Sequence, residues 1–285
     1  MKLSSKIVLA CIVAFTFSGC DTDSIYKVEQ YKPVVYLLSG SENVYATSYT
    51  LNEVEPVRYV TVGCGGSNSN EKEITVTLEP NPDMLVEYNR LNFDYEEQYA
   101  KLLPADRYEI KSYTVTLPAN SDYHYARIPV KVRPLGLSPD SIYFIPLRIK
   151  SVSNYDVNEE KKDVLFRVGI ENDYAEQLVP TYYVKSGQMN NPITVLSGMK
   201  QVHPLDKDKV RMLIGNETYG PTTTVADLER LSVVVQIHED NSLTVTPYGT
   251  IQVEMLNKVE GYNRYVPELI QGTSKKRVFY LNYRF

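Results

Sequence analysis

Tryptophan is missing from the sequence altogether, and cysteine and histidine occur only three times each. Cys11 lies inside an apolar N-terminal run and Cys20 closes it, so Cys64 is the one thiol left to the body of the chain. No intrachain disulfide can then form, and stability has to come from apolar cores. His124, His203 and His238 are far apart, with no H-E-x-x-H or C-x-x-C spacing, so the sequence offers no metal centre and calls for no cofactor. A G-x-S-x-G nucleophile elbow is also absent. The Gly-rich stretch G-C-G-G-S-N-S-N, residues 63–70, lacks the G-K-[ST] ending that cradles phosphate and reads as a flexible hairpin loop between two strands. Basic residues are not in excess. The formal charge is −5, and losing Lys2 and Lys6 with the first 19 residues takes it to about −7. That balance suits a soluble domain and argues against nucleic acid as a partner.

Apolar runs long enough to span a bilayer are missing too. The longest, I-V-L-A-C-I-V-A-F-T-F at residues 7–17, falls short of the roughly 20 residues a span needs. It follows Lys2 and Lys6 and precedes Ser18 and Gly19, the order of a secretory signal. A helix at the extreme terminus ahead of a polar segment is a poor core element. The F-S-G-C ending resembles a bacterial lipobox, with Phe17 in the apolar position usually held by Leu. The expectation is cleavage before Cys20 and a diacylglycerol thioether on its sulfur. Acyl chains on one residue make a stable anchor at about 0.8 kcal/mol per buried CH₂. Asp21 and Asp23 resemble the acidic signal that sends Bacteroidetes lipoproteins to the outer surface of the outer membrane. An anchor facing the periplasm is the other possibility.

Tyrosine is what the sequence has most conspicuously, with 24 Tyr against 7 Phe. Most are expected in sheets, half buried with the hydroxyl wet. Short alternating runs rich in Val, Ile, Thr and Tyr begin at residues 34, 58, 73, 113, 125, 142 and 164. Bounded by Gly, Pro, Asn or Ser, they read as half-buried strands. Without helices between them they point to antiparallel sandwiches. One insertion, residues 82–93, sets Met84, Leu85, Tyr88 and Leu91 at helical spacing behind Pro82 and Asp83. It predicts a short helix crossing one end of the first sandwich. E-N-D-Y-A-E-Q-L-V-P, residues 171–180, is the expected boundary, and strands resume beyond it to Phe285. The fold class is therefore all-β, an immunoglobulin-like antiparallel sandwich with one short helix followed by an antiparallel sandwich or partly closed barrel. The expected divisions are a leader over 1–19, a lipidated tether over 20–32, and modules over 33–172 and 173–285.

Y-N-R-L-N-F-D-Y-E-E-Q-Y-A-K-L-L-P-A-D-R-Y-E-I, residues 88–110, is similar to the N-terminal module of many Bacteroidetes surface lipoproteins. The L-P-x-x-x-Y signature falls on Leu103, Pro104 and Tyr108, and the I-P-V strand on Ile128, Pro129 and Val130. The Y-x-x-P-L-x-I-x-S strand falls on Tyr143, Pro146, Leu147, Ile149 and Ser151. H-P-L-D-K-D-K-V-R-M, P-Y-G-T-I-Q-V and Y-L-N-Y-R-F resemble the C-terminal domain usually paired with it. Both modules are domains of unknown function, and no ligand residue carries over. The resemblance implies an immunoglobulin-like first domain and the company of a TonB-dependent transporter in an outer-membrane glycan import system. The N-terminal module also occurs ahead of chitinase-like endoglycosidase barrels. Here the D-x-x-D-x-D-x-E strand motif and the βα repeats of a barrel are missing. The carboxylates of D-Y-E-E, from Asp94, sit beside a helix end, where a solvated face is the default reading.

The sequence thus points to a non-catalytic surface lipoprotein whose partner is a glycan. The alternatives are a structural or spacer lipoprotein binding proteins without sugar recognition, and an enzyme of unrecognised type. Loop tyrosines flanked by polar side chains are the candidate sugar contacts, since rings stack on sugar C–H faces and amides or guanidinium meet hydroxyls. Tyr262, Asn263, Arg264 and Tyr265 form the first group and Tyr219 the second, each weighed against packing of the ring on its own sandwich. Of the neighbours Tyr182 and Tyr183, one must face the core by strand alternation.

Overall fold

The computed structural model describes residues 31–66, 68–121, 123–220, 222–256 and 260–285. The expected leader, Cys20 and most of the tether lie outside the described residues.

Along the chain the first module comprises β1 (Val34–Leu37), β2 (Val44–Thr50), β3 (Val57–Gly65), β4 (Ile74–Pro80), helix α1 (Asp83–Asn92) and β5 (Lys101–Leu102). It continues with β6 (Tyr108–Glu109), β7 (Thr114–Leu117), β8 (Tyr125–Val132), β9 (Tyr143–Val152), β10 (Asp156–Val157) and β11 (Asp163–Glu171). One sheet runs β10-β1-β3-β8-β6 and the other β2-β11-β9-β4-β7, with β5 beside β9. The central ladders are antiparallel, while β1 with β10, β2 with β11 and β5 with β9 pair in parallel. Strand alternation builds the core between the sheets. Val60, Val62, Ile128 and Val130 face Ile145, Leu147, Val164, Phe166 and Val168.

Two elements differ from the sequence expectation. Residues 63–65 are not loop but the end of β3. Gly63 sits opposite Tyr36, and a Cβ there would lie 2.5 Å from the Tyr36 ring. The missing side chain lets that ring lie across the strand. Helix α1 starts and stops within a residue of the expected span, yet it packs on the outer face of β9 and β11, not across an end. Phe144 and Leu165 point out of the sandwich there and are covered by Leu85, with Met84 and Tyr88 beside it. Leu91 faces solvent. The Asn89 amide donates to the main-chain oxygen of Ala100 and accepts from its N–H, both at 2.9 Å, tying the helix to the returning chain.

The second module contains β12 (Thr181–Asn190), β13 (Ile193–Asp206), β14 (Lys209–Leu213), helix α2 (Val225–Leu231), β15 (Ser232–Ile237) and β16 (Leu243–Pro247). After these come β17 (Glu254–Met255), β18 (Arg264–Gln271), β19 (Ser274–Tyr280) and β20 (Tyr283–Arg284). Strands β12 to β16 form an antiparallel meander in sequence order, open at β12 and β16. The pairs β17–β20 and β18–β19 contribute Met255, Tyr265, Phe279 and Tyr283 to a core shared with Val202, Val210, Val233 and Val235 of the meander. Of the two forms left open by the sequence, this is the layered one. Helix α2 adds to the single helix expected. Thr224 Oγ1 accepts from the Asp227 N–H at 3.2 Å while the Asp227 carboxylate accepts from the Thr224 N–H at 3.1 Å, a capping box.

The chain between β11 and β12 is held on both sides. Asn172 donates to the main-chain oxygens of Asp206 (2.7 Å) and Lys209 (3.0 Å). Leu178 lies flat on β11 at Gly169, where a Cβ would meet it at 2.4 Å. Gln177 Nε2 donates to the carbonyls of Pro139 and Ser141, each at 2.9 Å, and so grips the loop that carries Asp140. Asp140 in turn accepts from Arg211 of β14 at 2.6 and 2.5 Å. Arg211 is wholly buried. Its guanidinium is flanked by the rings of Tyr219 (5.6 Å) and Tyr248 (4.8 Å).

A bidentate pair inside protein costs desolvation, but removing one partner costs more, because the other charge stays buried alone. Asp140→Ala is therefore expected to destabilise the protein by about 3 kcal/mol, read as a fall in the urea midpoint. Arg211→Met added to it should recover most of the loss. His203, paired with Arg211 across β13 and β14, is held down to about 4 by burial and by the neighbouring guanidinium. Its folded pKa lies below its unfolded value of about 6.5. The unfolded chain therefore takes up the proton first, and stability present above that value is lost as the pH falls toward 4. His203→Gln should flatten the decline of the melting temperature across that window, measured by circular dichroism.

Candidate functional site

The residue ahead of β18 has a left-handed backbone. Asn263 has φ 56°, and its Oδ1 accepts from the Asn282 N–H at 2.8 Å. Its main-chain oxygen accepts from Leu243 at 2.8 Å, and the next bond runs from Tyr265 N to the oxygen of Asn241 at 2.7 Å. Asn263 therefore locks the turn onto the β15–β16 hairpin; its amide is engaged with the protein's own main chain. Alternation then divides its neighbours. Tyr265 turns inward, only 6% exposed, with its ring against Tyr174 (5.2 Å) and Phe279 (4.8 Å). Burial raises its pKa. Tyr265 is a core residue, which corrects its reading as a sugar contact.

Tyr262 and Arg264 turn outward. Tyr262 is 49% exposed and meets Tyr280 edge to face at 6.3 Å. Arg264 pairs with Tyr280 across β18 and β19 and lays its guanidinium over that ring at 5.1 Å. A stacked guanidinium keeps its N–H edge free for hydroxyl or carboxylate groups while the ring fixes its plane. Tyr262 and Arg264, both exposed, thus cluster with the half-buried Tyr280, two rings and one cation. Sequence reading found the first two and missed Tyr280, which lies in the last long strand and joins them only through the register of the hairpin.

Tyr219, the second candidate, is not a free ring. It is packed edge-on against His203 at 4.4 Å and accepts a long hydrogen bond from Arg211 Nε at 3.4 Å. Burial lifts its pKa. Half of the ring is taken up in walling in the buried guanidinium. Beside it Lys200 of β13 donates to the main-chain oxygen of Glu217 at 2.7 Å, and burial, helped by Lys185, pushes its pKa down to about 8. These residues border a pocket of about 80 Å³, next to a cleft of about 220 Å³ between Leu213, Thr222, Asp227 and Arg230. Both fall below the roughly 300 Å³ at which small-molecule pockets begin. Of the adjacent tyrosines, Tyr183 faces the core against Phe279 at 5.1 Å and Tyr182 faces solvent.

Truncation separates the two kinds of ring. Tyr265→Ala should cost about 3 kcal/mol or more by opening a cavity, whereas Tyr262→Ala should stay within about 0.5 kcal/mol of the parent; urea unfolding of both variants measures the contrast.

A family model described as an N-terminal domain matches residues 29–156, and one described as C-terminal matches residues 162–285. The second begins ahead of β11, a strand that the fold places in the first sandwich. No protein of curated function matches the chain. Among solved structures, a protein of unknown function from Bacteroides ovatus shares 16% identity at a TM-score of 0.64, with 78% of this chain and 76% of that one covered. A multidomain protein of the same organism that includes a domain of unknown function shares 16% identity at a TM-score of 0.61, with 80% and 76% covered. An auxiliary nutrient binding protein from Bacteroides thetaiotaomicron shares 13% identity at a TM-score of 0.56, covering 78% and 76%. With both modules matched and the same fold recurring in Bacteroides proteins, the chain belongs to the family that pairs an immunoglobulin-like N-terminal domain of unknown function with an all-β C-terminal domain of unknown function.

Proposed function

We propose that this protein is a non-catalytic, lipid-anchored glycan-binding protein, displayed on the outer membrane and serving a TonB-dependent polysaccharide importer. The observation that carries the binding role is the cluster of exposed Tyr262 and Arg264 on half-buried Tyr280, at the open end of the β18–β19 hairpin. Sugars present C–H faces to rings and pairs of hydroxyls to planar donors, and the cluster offers both side by side. An open platform suits one stretch of a long chain, which enters and leaves without a pocket. The similar structure described as an auxiliary nutrient binding protein supports the same reading. The anchor and its outward display rest on the F-S-G-C-D-T-D stretch, residues 17–23.

Affinity electrophoresis through gels containing yeast mannan, xylan, dextran or mucin glycans tests the binding role. At least one should retard the protein, and Tyr262→Ala or Arg264→Ala should weaken that retention about tenfold, equivalent to about 1.4 kcal/mol. Unchanged mobility in every gel would defeat the glycan reading and leave the spacer role. For the anchor, Cys20→Ser should move the protein from the membrane fraction to the soluble one and abolish labelling by radioactive palmitate. A soluble parent protein would refute it.

A further inference from the structure

The first module carries a second aromatic surface, on the outer face of the β10-β1-β3-β8-β6 sheet. Residues of alternating parity point away from the core there, and the register sets them in rows. Tyr36 of β1 is opposite Gly63 of β3, which is opposite Tyr125 of β8. Because Gly63 has no side chain, the Tyr36 ring lies across it toward Tyr125. In the next row Thr61 is opposite Arg127, and beyond it Tyr59 is opposite Pro129. Arg127 bridges the rows, with its guanidinium 5.0 Å from the Tyr125 ring and 5.7 Å from the Tyr59 ring. Tyr123, 66% exposed, meets Tyr125 edge to face at 5.9 Å and extends the band. Tyr59 and Tyr125 are exposed as well.

We infer that this band is a second carbohydrate-binding platform, taking a run of several sugar units across β1, β3 and β8. From Tyr36 to Tyr125 spans two strand spacings, about 10 Å, and from Gly63 to Tyr59 about 13 Å along the strand. The surface is low because Gly63 and Thr61 lie between the rings. Among the described residues the Arg127 guanidinium makes no hydrogen bond or ion pair, so its N–H donors are unspent. Leu38, beside Thr61, and Pro129, opposite Tyr59, are the aliphatic side chains of the band, set in rows with Thr61, Arg127 and the rings; a protein partner would need a larger dewetted centre. Single-stranded nucleic acid also stacks on rings but requires a cationic groove, and one guanidinium on a chain of formal charge −5 does not make one. Phenol hydroxyls, ring faces and an unpaired planar donor in one shallow band are the chemistry of a sugar chain. The inference shares with the proposed function the premise that the protein binds glycan, but it places that binding on a separate surface.

The test compares the parent, a Tyr125→Ala/Arg127→Ala double variant and a Tyr262→Ala variant in the same polysaccharide gels, with sedimentation equilibrium run alongside. The replaced side chains are exposed, so an unchanged melting curve is expected and confirms folding. The double variant should lose about tenfold in affinity for a glycan that retards the parent. Parent-like retention of the double variant in every such gel would overturn the platform while leaving the β18–β19 site standing. A parent that no polysaccharide retards would overturn both. A dimer that the double variant dissolves would overturn the platform by assigning the face to a second copy of the chain.

Discussion

The ion pair between buried Arg211 and partly exposed Asp140 is the constraint on which the relation of the two modules depends. A guanidinium with no exposure survives there because a carboxylate from the other module reaches it in two-toothed geometry and two tyrosine rings close over its faces. The carboxylate is presented by a loop whose flanking carbonyls are held by a single amide, that of Gln177 in the connecting segment. The connection, the loop and the second sheet therefore support one another. Moving the modules apart would leave the Arg211 charge buried without its carboxylate.

Alternation on strands decides what each tyrosine does. Tyr262 and Tyr265 are three residues apart in a polar loop sequence, yet one meets water and the other fills a core among Tyr174, Tyr183 and Phe279. Tyr36, Tyr59 and Tyr125 lie in separate strands and become neighbours only through cross-strand pairing. A tyrosine can be assigned to a sheet from its neighbours in sequence, but its face is set by register, and register is fixed by partners many residues away.

That difference marks where sequence reading ended. The seven runs of Val, Ile, Thr and Tyr in the first module were legible because alternation is local, and α1 was legible because Leu85 and Tyr88 follow proline at helical spacing. Strand β2, V-Y-A-T-S-Y-T, was not: it is a largely polar edge strand ordered by its parallel pairing to β11. Helix α2 carried a visible signal, Thr224 followed three residues later by Asp227, that is easily taken for loop when the helix is only two turns long. Nothing in V-R-M announces a carboxylate arriving at Arg211 from residue 140. Gly63 looked like loop because the ring that needs its empty side was 27 positions upstream, at Tyr36.

Cys64 adds a practical consequence. It is the one thiol among the described residues, and it is buried between the sheets of the first sandwich. Reagents for sulfhydryls therefore meet no competing target on the described surface. Cysteines placed at exposed positions such as Leu135 in the first module and Val184 in the second would be labelled selectively, and a pair of spin labels there turns the spacing of the two modules into a spectroscopic distance.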